Sequence, residues 1–182
     1  MRVYLIRHPE PVGVDGRCYG RTDVRVDEAA VTRTATAIAA HLSPDVFANA
    51  RVYCSPLSRC LDLARHIASP QEPIPDDDLV EIDFGAWEGL TWDAVPRDAI
   101  DAWARDVWGY QPGGGESAAM VATRWHRWLN RVHRSNAETA IAVTHAGVIR
   151  VALSRAAQSS EAVTMASPIP FGAVYNLDLD LG

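Results

Sequence analysis

Short apolar runs alternate along this chain with longer stretches in which apolar residues recur every three or four positions. Val3-Tyr4-Leu5-Ile6 is β-branched, aromatic and compact, and predicts a buried strand over residues 2–7. A polar, glycine-bearing loop follows from Pro9 to Asp27. Val31, Ala35, Ile38 and Leu42 then share one helical face, which predicts a helix over about 28–42 ending before Pro44. A strand near 50–54 leads into Ser55-Pro56, read as the N-cap and first position of a helix that carries Leu57, Leu61, Ala64 and Ala68 inward. That helix ends before Pro70, and 70–78 reads as a turn region.

Leu79–Ile82 reads as a short strand, and 91–111 as one or two short helices interrupted by Pro96. The break Pro112-Gly113-Gly114-Gly115 precedes a strongly amphipathic helix with Val121, Trp125, Trp128 and Val132 on one face. A strand over 139–144, a helix after Gly147 and a last strand over 171–179 complete the pattern. Such β-α alternation predicts an α/β fold: a single three-layer α/β/α domain over 1–182, with a mostly parallel central sheet.

Composition narrows the function. The 182 residues are 48% hydrophobic and 22% charged, an ordinary globular balance. A net charge of −6 offers no broad basic surface, which argues against nucleic acid as a partner. No apolar run approaches the ~18 residues of a membrane span, so no membrane partner is expected. Cys18, Cys54 and Cys60 are odd in number and form no CxxC pair, which favours a reducing compartment; a cytoplasmic location is the expectation. No HExxH or carboxylate pair suggests a metal, and no cofactor is expected.

The candidate chemistry sits at strand ends, where open α/β sheets hold their ligands. Residues 3–6 run into Arg7-His8, residues 50–54 into Ser55-Pro56-Leu57-Ser58-Arg59, and residues 141–143 into Thr144-His145-Ala146-Gly147. Two arginines and two histidines converging there would suit a phosphate ester, because guanidinium forks match phosphoryl oxygens bidentately. His8 is the candidate nucleophile, provided one ring nitrogen is unprotonated. His145 would donate to the phosphoryl oxygens, and Glu81 is the candidate acid and base. Helices starting near Ser55 and Gly147 would add dipolar attraction for the anion.

Leu5-Ile6-Arg7-His8, Ser55-Pro56-Leu57-Ser58-Arg59, Glu81-Ile82-Asp83-Phe84-Gly85-Ala86-Trp87-Glu88-Gly89 and Thr144-His145-Ala146-Gly147 together resemble the histidine phosphatase superfamily, also called phosphoglycerate-mutase-like, in its order and over nearly the whole chain. The resemblance implies a metal-independent phosphomonoesterase in which His8 becomes a transient phosphohistidine. Arg7, Arg59 and His145 would complete the phosphate pocket, and Glu81 would be the proton donor. Ala146, Arg21 and Tyr19 are further substrate-side candidates. The string Arg7-His8-Pro9-Glu10-Pro11, with Cys18-Tyr19-Gly20-Arg21-Thr22-Asp23, resembles the branch of α-ribazole phosphatases, which act late in cobalamin assembly. Pro9 departs from the glycine usual after the nucleophile and removes an amide donor there.

Duller readings stand beside these. Asp83 and Glu88 lie near Glu81, which leaves a helper or ion-pairing role open for it. The glycines at 113–115 suit either an anion cradle or a turn and helix cap. His41, His66, His126 and His133 fall at no ligand-like spacing. Trp87 lines either the core or the substrate entrance. Rival functions are a phosphoglycerate mutase, a phosphoprotein phosphatase with an open site, and a regulatory module that binds a phosphorylated ligand without turnover. The apolar final strand is a candidate sheet edge for a homodimer.

Overall fold

A computed structural model describes residues 1–68, 70–156 and 167–179. Its regular elements are β1 (Arg2–Arg7), α1 (Glu28–His41), α2 (Pro44–Asn49), β2 (Arg51–Cys54), α3 (Ser58–Ala68), β3 (Ile74–Pro75), α4 (Arg97–Arg105), α5 (Ala118–Arg134), β4 (Thr139–Thr144), α6 (Ala146–Ala156) and β5 (Val174–Asp178). The sheet order is β3-β2-β4-β1-β5. β1 to β4 run parallel, and β5 lies antiparallel against β1 at one edge.

Side chains on a strand alternate between the two faces, and the core divides accordingly. Val3, Leu5, Ala140 and Ala142 face α5 and α6, where Trp125, Trp128 and Val132 are buried. Tyr4, Ile6, Ile141 and Val143 face α1 and α3, with Ile38 and Leu63. Both faces are covered, as a parallel sheet requires. The alanines of β4 lie on the α5 face, where the two stacked indoles of Trp125 and Trp128, 4.8 Å apart, fill the space.

Four expectations are corrected. Residues 79–82 form no strand, although the short β3 precedes them. Asp76 accepts from the Asp78 N–H at 3.0 Å and caps a 3-10 turn over Asp77–Leu79, and the Leu79 carbonyl accepts from Thr144 Oγ1 at 2.7 Å. α3 begins at Ser58 instead of Pro56, because Asp23 Oδ1 takes the capping role, accepting from the Ser58 N–H at 2.9 Å. Pro44 opens α2, six residues that the helix-stopping reading of that proline passed over. β5 is shorter than 171–179: Ile169 and Phe171 meet the Arg7 side chain, Gly172 and Ala173 bond its backbone, and regular pairing begins only at Val174.

Candidate active site

The register of the central strands sets the site. Arg7 of β1 lies beside Thr144 of β4, so the next residues, His8 and His145, emerge side by side with ring centroids 5.1 Å apart. Both are buried. His8 Nδ1 lies 2.6 Å from the Pro9 carbonyl, which can only accept; Nδ1 therefore carries the proton and Nε2 keeps its lone pair. Burial, followed by the Arg59 and Arg7 charges, lowers the His8 pKa to about 3 against the opposing pull of that carbonyl. His8 is a neutral imidazole with a free Nε2. Pro9, which looked like a loss for the site, supplies the acceptor that selects this tautomer.

Arg59 is buried and comes from the first turn of α3. Its Nε donates to His145 Nδ1 at 3.3 Å, Nη1 to the Thr22 carbonyl at 2.8 Å and Nη2 to the Gly20 carbonyl at 2.6 Å. One N–H remains on each terminal nitrogen. Because Arg59 donates to Nδ1, the His145 proton sits on Nε2, 3.4 Å from Cys60 Sγ. Burial, then the neighbouring His8 imidazole and the Arg59 charge, holds the His145 pKa well below the usual histidine value. Burial pushes the Cys60 thiol up, so Cys60 packs against His145 as a neutral group.

Arg7 donates to the Ile169 carbonyl and lies over the Phe171 ring, 3.7 Å from its centroid. Its Nε is buried without a partner among the described residues. Tyr19 is half-buried beside Arg7, with its ring 5.4 Å from the Arg59 guanidinium. No ion pair among the described residues includes Arg7 or Arg59. Two converged guanidiniums without a carboxylate partner are costly to hold, and an anion is what would offset them.

Glu81 sits beside this group, and its charge is felt at Arg7, Tyr19 and Cys60. Both carboxylate oxygens accept from the Gly147 N–H, at 3.1 and 3.2 Å, and Oε1 also accepts from the Ile82 N–H. The Gly147 N–H in the first turn of α6 is therefore committed to Glu81. Gly147 is needed there: a Cβ would lie 2.3 Å from Glu81 Oε1. Ala146 is buried at the start of α6 and contributes backbone only. Arg21 is exposed, and its part in the fold is its N–H, which donates to Glu88 Oε1 at 2.8 Å.

Flanking contacts hold the Glu81 segment. Asp78 pairs with Arg127 and Arg131 of α5, each at 2.6 Å. Arg124 reaches the Asp78 carbonyl at 2.8 Å and binds Glu116, whose Oε2 accepts from the Asp83 N–H. Glu88 accepts from the N–H groups of Arg21, Thr22 and Phe84, which fixes the loop whose carbonyls grip Arg59. Burial opposes ionisation of Glu88, but those bonds and the Thr22 hydroxyl win and lower its pKa. Glycines 113 and 115 pack on the backbone of residues 83–87, and Ser117 caps α5, accepting from Met120 N–H at 3.4 Å; this is turn and cap structure. Trp87 is buried in an aromatic cluster.

Sequence reasoning missed Phe171, which lies in the segment read as strand, and the carbonyl of Ile169 just before it; both touch the predicted arginine. Pro168, Pro170 and Gly172 were the available signal, since they interrupt strand pairing. No group of three or more His, Cys, Asp or Glu among the described residues is arranged to hold a metal. No helix among them is long and apolar enough to cross a membrane.

Comparison with known proteins gives this geometry a context. The chain is 34% identical over 137 residues to the bifunctional protein Rv2228c of Mycobacterium tuberculosis, covering 72% of this chain and 35% of that protein. It thus spans about a third of the length of the first curated relatives it matches. It is 32% identical over 169 residues to the metal-independent phosphoserine phosphatase of Arabidopsis thaliana, covering 88% of this chain and 70% of the relative. The crystal structure of the α-ribazole phosphatase from Shigella flexneri superposes with a TM-score of 0.75 at 25% identity, covering all of this chain and 92% of that one. The sequence model of the histidine phosphatase superfamily (branch 1) matches residues 3–181. With that match and the paired histidines at adjacent strand ends, the chain belongs to the histidine phosphatase superfamily.

Proposed function

We propose that this chain hydrolyses a small-metabolite phosphate monoester through a phosphohistidine on His8. The observation that carries the reading is the neutral His8 imidazole, with Nδ1 committed to the Pro9 carbonyl and Nε2 free beside Arg7 and Arg59. In the first step Nε2 attacks phosphorus, the P–O ester bond breaks, and Glu81 gives its proton to the departing alcohol. In the second, water attacks phosphorus and passes a proton to Glu81, the N–P bond breaks, and inorganic phosphate leaves. Arg7, Arg59 and His145 Nε2–H hold the phosphoryl oxygens while charge shifts.

The substrate we favour is α-ribazole 5′-phosphate, in cobalamin assembly. The run from Arg7 to Pro11 and the likeness to the Shigella flexneri enzyme support it. A cytoplasmic setting is part of the proposal, on the strength of three buried free thiols. A mutase must return phosphate to a sugar acid from a pocket that excludes water and grips a carboxylate; the cavity beside Glu81 is walled largely by apolar side chains. The test is phosphate release across a metabolite panel that includes α-ribazole 5′-phosphate, phosphoserine and 3-phosphoglycerate, with EDTA present and His8→Ala in parallel. Preference for the ribazole ester, lost in the variant, is expected. Failure of both proteins on every ester would overturn hydrolysis.

A further inference from the structure

Arg59 is buried, and no carboxylate touches its guanidinium among the described residues. A carboxylate does stand one peptide away. The peptide group between Gly20 and Arg21 is bonded on both sides: its carbonyl accepts from Arg59 Nη2 at 2.6 Å, and its N–H donates to Glu88 Oε1 at 2.8 Å. Thr22 repeats the arrangement. Its carbonyl accepts from Arg59 Nη1 at 2.8 Å, while its N–H, at 2.7 Å, and its hydroxyl donate to Glu88 Oε2.

A carboxylate on the N–H side of a peptide draws charge towards the carbonyl, so each bond of such a chain strengthens the next. Here both ends of the chain are charged, which makes its terminal bonds the stronger kind. Part of the cost of burying Arg59 is offset in this way. A direct bidentate ion pair would occupy the guanidinium fork. The relayed pair leaves one N–H on each terminal nitrogen for phosphoryl oxygens. Gly20 allows the close approach: a Cβ there would lie 2.3 Å from the Ile82 carbonyl oxygen and 2.6 Å from Glu88 Oε1. Glu88 Oε1 also accepts from the Phe84 N–H at 3.2 Å, three residues after Glu81, so one carboxylate ties the Arg59 loop to the Glu81 segment.

We propose that Glu88 is a positioning residue of the phosphate pocket: through the Gly20–Arg21 peptide and Thr22 it fixes the Arg59 fork and balances its charge without touching substrate. The inference rests on the phosphatase reading and adds to it a group outside the reacting set. Its charge matters more than its bulk, because four donors converge on its two oxygens.

Two variants separate charge from shape. Glu88→Gln keeps the shape but turns an NH2 group towards donors it cannot accept from. Glu88→Asp shortens the side chain and keeps the charge. Glu88→Gln should weaken binding of inorganic phosphate, titrated calorimetrically, and raise the KM for phosphate esters, each by about tenfold or more, with a smaller fall in kcat. Glu88→Asp should recover most of that loss; a Gln variant that binds phosphate as well as the Asp variant, or better, overturns the proposal. Nitrogen-15 NMR of the guanidinium reads Arg59 with no ligand present. Separate Nη1 and Nη2 signals are expected in the wild type, merged by rotation in Glu88→Gln. Circular dichroism reports whether each variant folds. Thr22 is exposed, and Thr22→Val removes only the hydroxyl bond, so it keeps the question open to measurement if Glu88→Gln fails to fold. It should weaken phosphate binding about threefold, and no change would overturn the proposal. If the wild type neither binds phosphate nor cleaves an ester, the phosphatase reading falls by itself, and the guanidinium spectra still decide Glu88: merging in the variant supports its role, and unchanged separate signals overturn it.

Discussion

The proposed phosphate pocket and the aromatic-walled cavity beside it share Glu81 but are built by opposite means. The pocket stands on the ends of β1 and β4 and the first turn of α3, and each ionisable group in it has a backbone or ring partner that fixes its orientation. The cavity stands on turns and on the short helix α4, and its wall is braced by stacked indoles and by glycines pressed against backbone. Strand ends locate charges with the precision that in-line displacement needs. A wall of turns and rings tolerates change more readily, which suits the part of a site that decides what is bound. Chemistry and selectivity should therefore fail separately.

The largest effect is expected from His8→Ala, which should lower turnover by at least about 10⁴-fold while leaving the cavity able to bind; steady-state kinetics and calorimetry together check this. Glu81→Gln comes next, slowing esters of poor leaving groups by about 10²–10³-fold and activated aryl phosphates much less. Equal losses on both would contradict the acid role.

Gly113→Ala strikes the other region. Gly113 sits at φ +60°, and a Cβ there would lie 2.2 Å from the Phe84 carbonyl oxygen. The variant should lose about 3 kcal/mol or more in thermal or denaturant unfolding. Where it remains folded, ester selectivity should degrade before His8 phosphorylation does.

Acid should test the pocket more gently. The folded state lowers the His8 pKa from 6.5 to about 3, so between those values the unfolded chain binds the additional proton. Stability is therefore full above pH 6.5 and falls as pH drops through that window, by up to about 1.4 kcal/mol per unit for this group. Denaturant midpoints measured against pH should show that fall, to which the buried His145 adds in the same direction, and His8→Asn should make it shallower. The smallest effect is expected of Phe171→Ala, which removes the ring under Arg7 and should raise KM a few-fold with little change in kcat.

The sheet and the convergence of the proposed reacting groups were legible because their signals are local. An apolar run ending in Arg7-His8 or Thr144-His145 reads as strand then ligand, and β1–β4 pairing puts both histidines together. What was not legible depends on distant partners. Residues 79–82 look like a strand until Thr144 claims the Leu79 carbonyl and the Glu81 carboxylate claims the Ile82 N–H, and α3 looks capped by Ser55 until Asp23 arrives from a loop. Gly147 has the sequence of an anion-binding helix start, yet its N–H is taken by Glu81. Phe171 lies more than 160 positions from Arg7, and no periodicity links them.

The most direct test is to find the phosphate on the protein. Wild type mixed with substrate and quenched in alkali, which preserves phosphohistidine, should yield one phosphorylated residue by mass spectrometry. That residue should be His8, and phosphorus NMR should place the phosphoryl group on Nε2. Phosphate on Nδ1, on another residue, or on none while substrate is being turned over would contradict the account.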